Sequence, residues 1–110
     1  MPETASADIQ DLTRRLRARL ENLYGDRLRE VVLYGSHARG EASEASDVDV
    51  MVVLEGELDA WTGLQRMSRP VYDLELETEE MITLCPISRT EFEQKEHPLL
   101  VNVHREGITV

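Results

Sequence analysis

Cysteine, lysine and long apolar runs are all scarce in this chain, and each scarcity removes a class of protein. A single cysteine, Cys85, cannot close an internal disulfide, so folding rests on burial alone, which suits a reducing cytoplasm. No apolar run approaches the ~20 residues that cross a bilayer, so no membrane role is expected. The start, Met1 to Asp11, is polar and acidic where a secretory signal would be basic and then apolar, and no targeting segment is read there. Repeats, low-complexity tracts and Pro/Gly-rich linkers are also missing, so the 110 residues are read as one domain.

Positive charge is short as well. Lys and Arg number 12 against 22 Asp and Glu, a formal net charge of −10. Such a surface repels a phosphate backbone, and direct nucleic-acid binding is not expected. A bound triphosphate would need metal ions or a local basic residue to offset the repulsion, whereas a basic protein partner would be welcome. Lys95 is the only lysine, a bias read as genomic base composition ahead of adaptation to salt. With 41 % hydrophobic and 31 % charged residues, the chain has the balance of a globular protein rather than of a disordered tail.

What is present is patterned. Ile9, Leu12, Leu16, Leu20 and Leu23 recur at helical spacing, which predicts an amphipathic helix over Ala7 to Tyr24 stopped by Gly25. Arg14, Arg15, Arg17 and Arg19 are interleaved with Asp8, Asp11 and Glu21, so they read as a solvated face rather than a phosphate patch. Glu30 to Tyr34 reads as a buried strand, Ser36 to Ser46 as a helical turn and loop, and Ser46 to Leu54 as a second strand.

Residues 58 to 77 are ambiguous. Trp61, Leu64, Met67, Val71, Leu74 and Leu76 fit one or two helices, with Pro70 opening the second and Trp61 and Met67 in the core. Tyr72 to Glu77 also alternates as a strand would, but the clearer strand Met81 to Ile87 follows at once, and helix is preferred. A capped short helix begins at Ser88, another spans Pro98 to Arg105, and Ile108 to Val110 are frayed or strand-like. The order implies an α/β (α+β) sandwich, a small mixed β-sheet flanked by helices.

Chemistry concentrates between Val31 and Val53. A strand ending in Gly35-Ser36 lets the backbone pass close to a ligand, and the following N–H groups can cradle phosphate oxygens. Asp47 and Asp49 sit two apart on a strand, so both carboxylates fall on one face and Val48 and Val50 on the other. Paired carboxylates repel, and a divalent cation turns that repulsion into attraction; hard oxygen ligands suit Mg²⁺. If the two strands are neighbours, cradle and carboxylates meet at one sheet edge.

The joint pattern, Gly35-Ser36-His37-Ala38-Arg39-Gly40 followed by Ser46-Asp47-Val48-Asp49-Val50, closely resembles the signature of the DNA polymerase β-like nucleotidyltransferase superfamily in its minimal, MntA-like antitoxin form. The ending, Pro98 to Gly107, also looks like that of small members. This resemblance implies that Gly35, Ser36 and Arg39 contact nucleotide, that Asp47 and Asp49 are catalytic and bind Mg²⁺ in a two-metal arrangement, and that Gly40 turns the chain away. His37 falls at a variable position and receives no role.

Family enzymes usually carry a third carboxylate on a later strand. Met81 to Cys85 holds no acid; if 72 to 77 were a strand, Asp73 or Glu75 could supply it. His97 and His104 lack the ligand spacing of a metal site, Cys85 reads as a core filler, and Glu75, Glu77, Glu79 and Glu80 read as a solvated helix end. The resemblance thus implies transfer of a nucleoside monophosphate, AMP from ATP, to a protein or small-molecule hydroxyl, and an antitoxin role beside a HEPN-domain toxin. The alternative is a degenerate module that neutralises its partner by contact alone.

Overall fold

The structure, a computed structural model, describes residues 5–94 and 96–110; the first four residues of the polar start and Lys95 lie outside them. Helix α1 (Ala7–Tyr24) forms where the leucine spacing placed it. Ser6 caps it, its hydroxyl accepting from the Ile9 N–H at 3.3 Å, and Gly25 ends it at φ 56°. A single 3₁₀ turn leads into strand β1 (Leu28–Tyr34), two residues longer than expected. The four-residue helix α2 (Ser36–Arg39) follows, then β2 (Val48–Leu54), so Ser46 and Asp47 lie just ahead of the second strand rather than in it.

Residues from Ala60 to Thr78 form one helix, α3, which carries Pro70 in its interior. The preferred helical reading of this stretch holds. The two-helix and strand readings fall, and with them any placing of Asp73 or Glu75 on a strand. Strand β3 (Ile82–Ser88), helix α4 (Arg89–Gln94), helix α5 (Pro98–Glu106) and the short β4 (Ile108–Thr109) complete the chain. The Ser88 hydroxyl accepts from the Glu91 N–H at 3.2 Å, the cap expected at the start of α4.

The sheet is mixed, in the order β3-β2-β1-β4. The β1–β2 and β1–β4 pairs are antiparallel, and β3 runs parallel to β2 after the crossover through α3. On one face Val31, Leu33, Val50 and Val52 pack under Leu12, Leu16 and Leu20 of α1 and Met67 and Leu74 of α3. A smaller cluster on the other face joins Val32, Met51 and Val53 to Phe92, Leu100 and Val103. Burial of each α1 leucine is worth roughly 2 kcal/mol, so apolar packing holds the helices down.

Three expectations about side chains change. Met67 is buried as expected, but Trp61 is 69 % exposed, as is Leu76 at 62 %. At about 100° per residue, Trp61 lies some 120° around the helix from Met67, and Leu76 falls nearly opposite Leu74. The α1 arginines are not simply solvated. Arg15 and Arg19 both reach Glu77 of α3, Arg19 Nη1 donates to the Pro70 carbonyl at 3.2 Å, and Arg17 Nη1 donates to the Val110 carbonyl at 2.7 Å. Glu75 likewise accepts from the Ile82 N–H at 2.8 Å, so the glutamate-rich stretch ties α3 to its neighbours. His97 caps α5, and His104 bonds the Phe92 carbonyl at 2.7 Å across to α4. Cys85 is half-buried at the edge of the smaller cluster.

Candidate active site

The antiparallel register sets Tyr34, the last residue of β1, opposite Asp49, the second of β2. The chain then turns at Gly35, with φ 77° and ψ −159°, a conformation essentially restricted to glycine. A Cβ built on Gly35 would overlap the Asp49 carboxylate. Backbone turn and acidic side chain are therefore in van der Waals contact, and the two halves of the sequence signature meet at one sheet edge.

Ser36 opens α2 directly behind that contact. The Ala38 and Arg39 N–H groups both return to the Gly35 carbonyl, at 3.1 and 3.2 Å, and the Glu41 N–H reaches the Ser36 carbonyl at 2.9 Å. Gly40 closes the turn in the left-handed region at φ 73°. Arg39 lies exposed with Nε on Glu41 Oε1 at 2.9 Å and Nη1 on Glu106 of α5 at 3.5 Å. These bonds hold its guanidinium in a bracing position between loop and helix, close enough for its charge to act on Asp49. His37 Nε2 contacts the Ser46 carbonyl at 3.3 Å, pinning the loop that delivers the aspartates.

Asp49 is partly buried and Asp47 exposed. Burial first, then the charge of Asp47, pushes the Asp49 carboxyl above its usual range, against a smaller opposing pull from His37 and Arg39. Such a pair holds a like-charge repulsion that a cation would relieve. Tyr34 flanks Asp49 on one side; burial, then Cys85 and Asp49, push its phenol up to about 12. Thr83 of β3 flanks it on the other side, opposite Asp49 in the parallel register. The Thr83 hydroxyl donates to Asp47 Oδ2 at 3.3 Å.

The structure brings Gly35, Ser36, Asp47 and Asp49 to one sheet edge, with Arg39 held by Glu41 and Glu106. The sequence reading passed over Thr83, although a lone hydroxyl in the otherwise apolar run Ile82-Thr83-Leu84-Cys85 was the available signal. Asp73 is exposed on α3, and Glu75 is bonded to the start of β3, so neither stands beside the aspartate pair on a strand. Among the described residues, no group of three or more His, Cys, Asp or Glu is arranged to hold a metal ion.

The nucleotidyltransferase domain family matches residues 13–106, which spans α1 to α5. The chain belongs to this family. Two candidate protein adenylyltransferases of Methanocaldococcus jannaschii are similar over shorter segments. MJ0604 is 38 % identical over 40 residues, covering 36 % of this chain and 40 % of its own length. MJ0141 is 33 % identical over 48 residues, covering 44 % of this chain and 48 % of its own. The matches therefore span less than half of either relative.

The fold recurs in a candidate nucleotidyltransferase of Sulfolobus solfataricus, with TM-score 0.57 and 19 % identity over 96 % of this chain and 86 % of that one. A chain of a toxin–antitoxin complex crystallised with AMP-PNP aligns with TM-score 0.56 and 19 % identity, covering 93 % of this chain and 68 % of that one. A mutant of the MntA–HpeT toxin–antitoxin pair gives TM-score 0.53 at 15 % identity, covering 84 % and 68 %. At these identities the likeness is one of fold. No helix among the described residues is long and apolar enough to cross a membrane.

Proposed function

We propose that this nucleotidyltransferase-family domain transfers AMP from ATP to a hydroxyl of a partner protein, with Mg²⁺ held by Asp47 and Asp49. The observation that carries the reading is the packing of Gly35 against the Asp49 carboxylate, which puts turn and acid at one point. The donor set fits the metal: two hard carboxylates completed by phosphate oxygens are how Mg²⁺ is commonly held. When bound, the metal would supply charge neutralisation on the triphosphate and favour in-line displacement.

The chain's own residues divide the remaining work. Gly35 and Ser36 present backbone and hydroxyl to the phosphates, and the aspartates fix the reacting end. Arg39 braces the loop and adds positive charge to an otherwise acidic molecule. An acceptor hydroxyl attacks the α-phosphorus, the bond to pyrophosphate breaks, and the hydroxyl proton is released. The surplus of acidic residues suits a basic protein acceptor, and folds of this kind occur in toxin–antitoxin complexes, which supports an antitoxin role beside a HEPN-domain partner.

A contact-only module is favoured by one observation: the place beside Asp49 on β3 holds Thr83 and not an acid. Titration with ATP and Mg²⁺, read by backbone amide shifts, tests the site. Metal-dependent shifts at 35, 36, 47 and 49 are expected, and their loss in Asp47→Asn/Asp49→Asn. α-Phosphate-labelled ATP then reports transfer to the partner; control of the partner undiminished by the double variant would favour contact alone.

A further inference from the structure

Asp47 stands outside the ladder, one residue ahead of β2, on an exposed stretch. Such a side chain ordinarily samples several rotamers and loses that freedom on binding a ligand. Here the Thr83 hydroxyl donates to its Oδ2 at 3.3 Å, and no other hydrogen bond or ion pair reaches this carboxylate among the described residues. Thr83 itself is fixed by the parallel β2–β3 register, directly opposite Asp49. One side chain thus touches the first aspartate while standing beside the second.

We propose that Thr83 is the positioning residue of the aspartate pair, holding the Asp47 carboxylate on the face occupied by Asp49 so that both reach one divalent cation. The proposal rests on the transferase reading, in which those aspartates hold the metal. Ligating carboxylates are commonly oriented by a hydrogen bond to an oxygen, and losing such a partner weakens metal binding about 10- to 100-fold. A hydroxyl performs this without adding a third negative charge beside two carboxylates that already repel each other. The bond is exposed, so the effect falls at the lower end of that range.

Mn²⁺ binding by the full chain, followed through the paramagnetic resonance signal of the free ion, tests this. Thr83→Val should bind about tenfold more weakly than the original chain, and Thr83→Ser, which keeps the hydroxyl, should recover most of the loss. Melting temperatures of all three should agree closely. Equal Mn²⁺ affinity in Thr83→Val overturns the proposal, as does weakening by both variants in step with lowered melting, which would mark a packing role. Should the original chain, with a non-hydrolysable ATP analogue present to complete the ligand set, bind no more Mn²⁺ than Asp47→Asn/Asp49→Asn, the transferase reading falls and takes the proposal with it.

Discussion

Gly35 leaves room for Asp49 and for no side chain of its own. Alanine there meets two penalties, the backbone at φ 77° and the overlap with the carboxylate. Gly35→Ala is expected to lower unfolding free energy by about 1–3 kcal/mol, read from denaturant midpoints, and to abolish amide shifts on adding MgATP. Asp49 works in the other sense. Its carboxyl is pushed above the usual 3.8, chiefly by burial and then by Asp47, so the ionised form costs the fold stability. The group favours folding below pH 3.8 and that contribution is lost as pH rises through the elevated value. Asp49→Asn should therefore melt about a degree or two higher than the original at neutral pH without metal, with the gap closing in acid; thermal scans at several pH values check this. At this scale the sequence was informative about Gly35, Ser36 and the aspartates through their joint spacing, since a Gly-Ser turn or two nearby aspartates alone would be ordinary. Thr83 was not legible, since threonine is an ordinary strand residue and only the β2–β3 register reveals what it faces.

Helices and strands were legible where one period dominated. The α1 leucines could support only a helix, and Gly25 marked its end. Residues 72 to 77 fit two periods at once, and the tertiary need for a crossover between parallel β2 and β3 decided for helix. Trp61 misled because an aromatic residue is read as core by type, whereas α3 has only one face against the sheet. The two sheet faces are also unequally covered. α1 and α3 share the large core, while α4 and α5 rest on the smaller cluster around Phe92 and Val103, aided by Arg89 bonded to Glu55 at 2.6 Å. Native-state hydrogen exchange should accordingly show α4 and α5 opening first and α1 with β1 and β2 last. Equal protection across both faces would contradict this ordering.

Over the whole molecule, the excess of negative charge sets how charged ligands arrive. Charge could be counted from composition, but which arginines were free could not. Arg15, Arg17, Arg19, Arg39 and Arg89 all prove to be engaged by carboxylates or carbonyls, so little positive surface remains to attract a triphosphate. Nucleotide association should thus speed up severalfold as ionic strength rises from about 10 mM to 150 mM, where the screening length shortens to about 8 Å. Stopped-flow mixing with a fluorescent ATP analogue measures this, and a rate that falls with salt would mean that Arg39 and His37 dominate the local field.

The sheet has two edges, the stub β4 and the full-length β3, which carries Pro86 near its middle. An open edge of seven residues is an invitation to edge-to-edge addition by another copy, the first step towards a fibre. Pro86 has no N–H to offer such a strand and interrupts any ladder laid along it. The strand that supplies Thr83 can therefore end the sheet in water without serving as a template for aggregation.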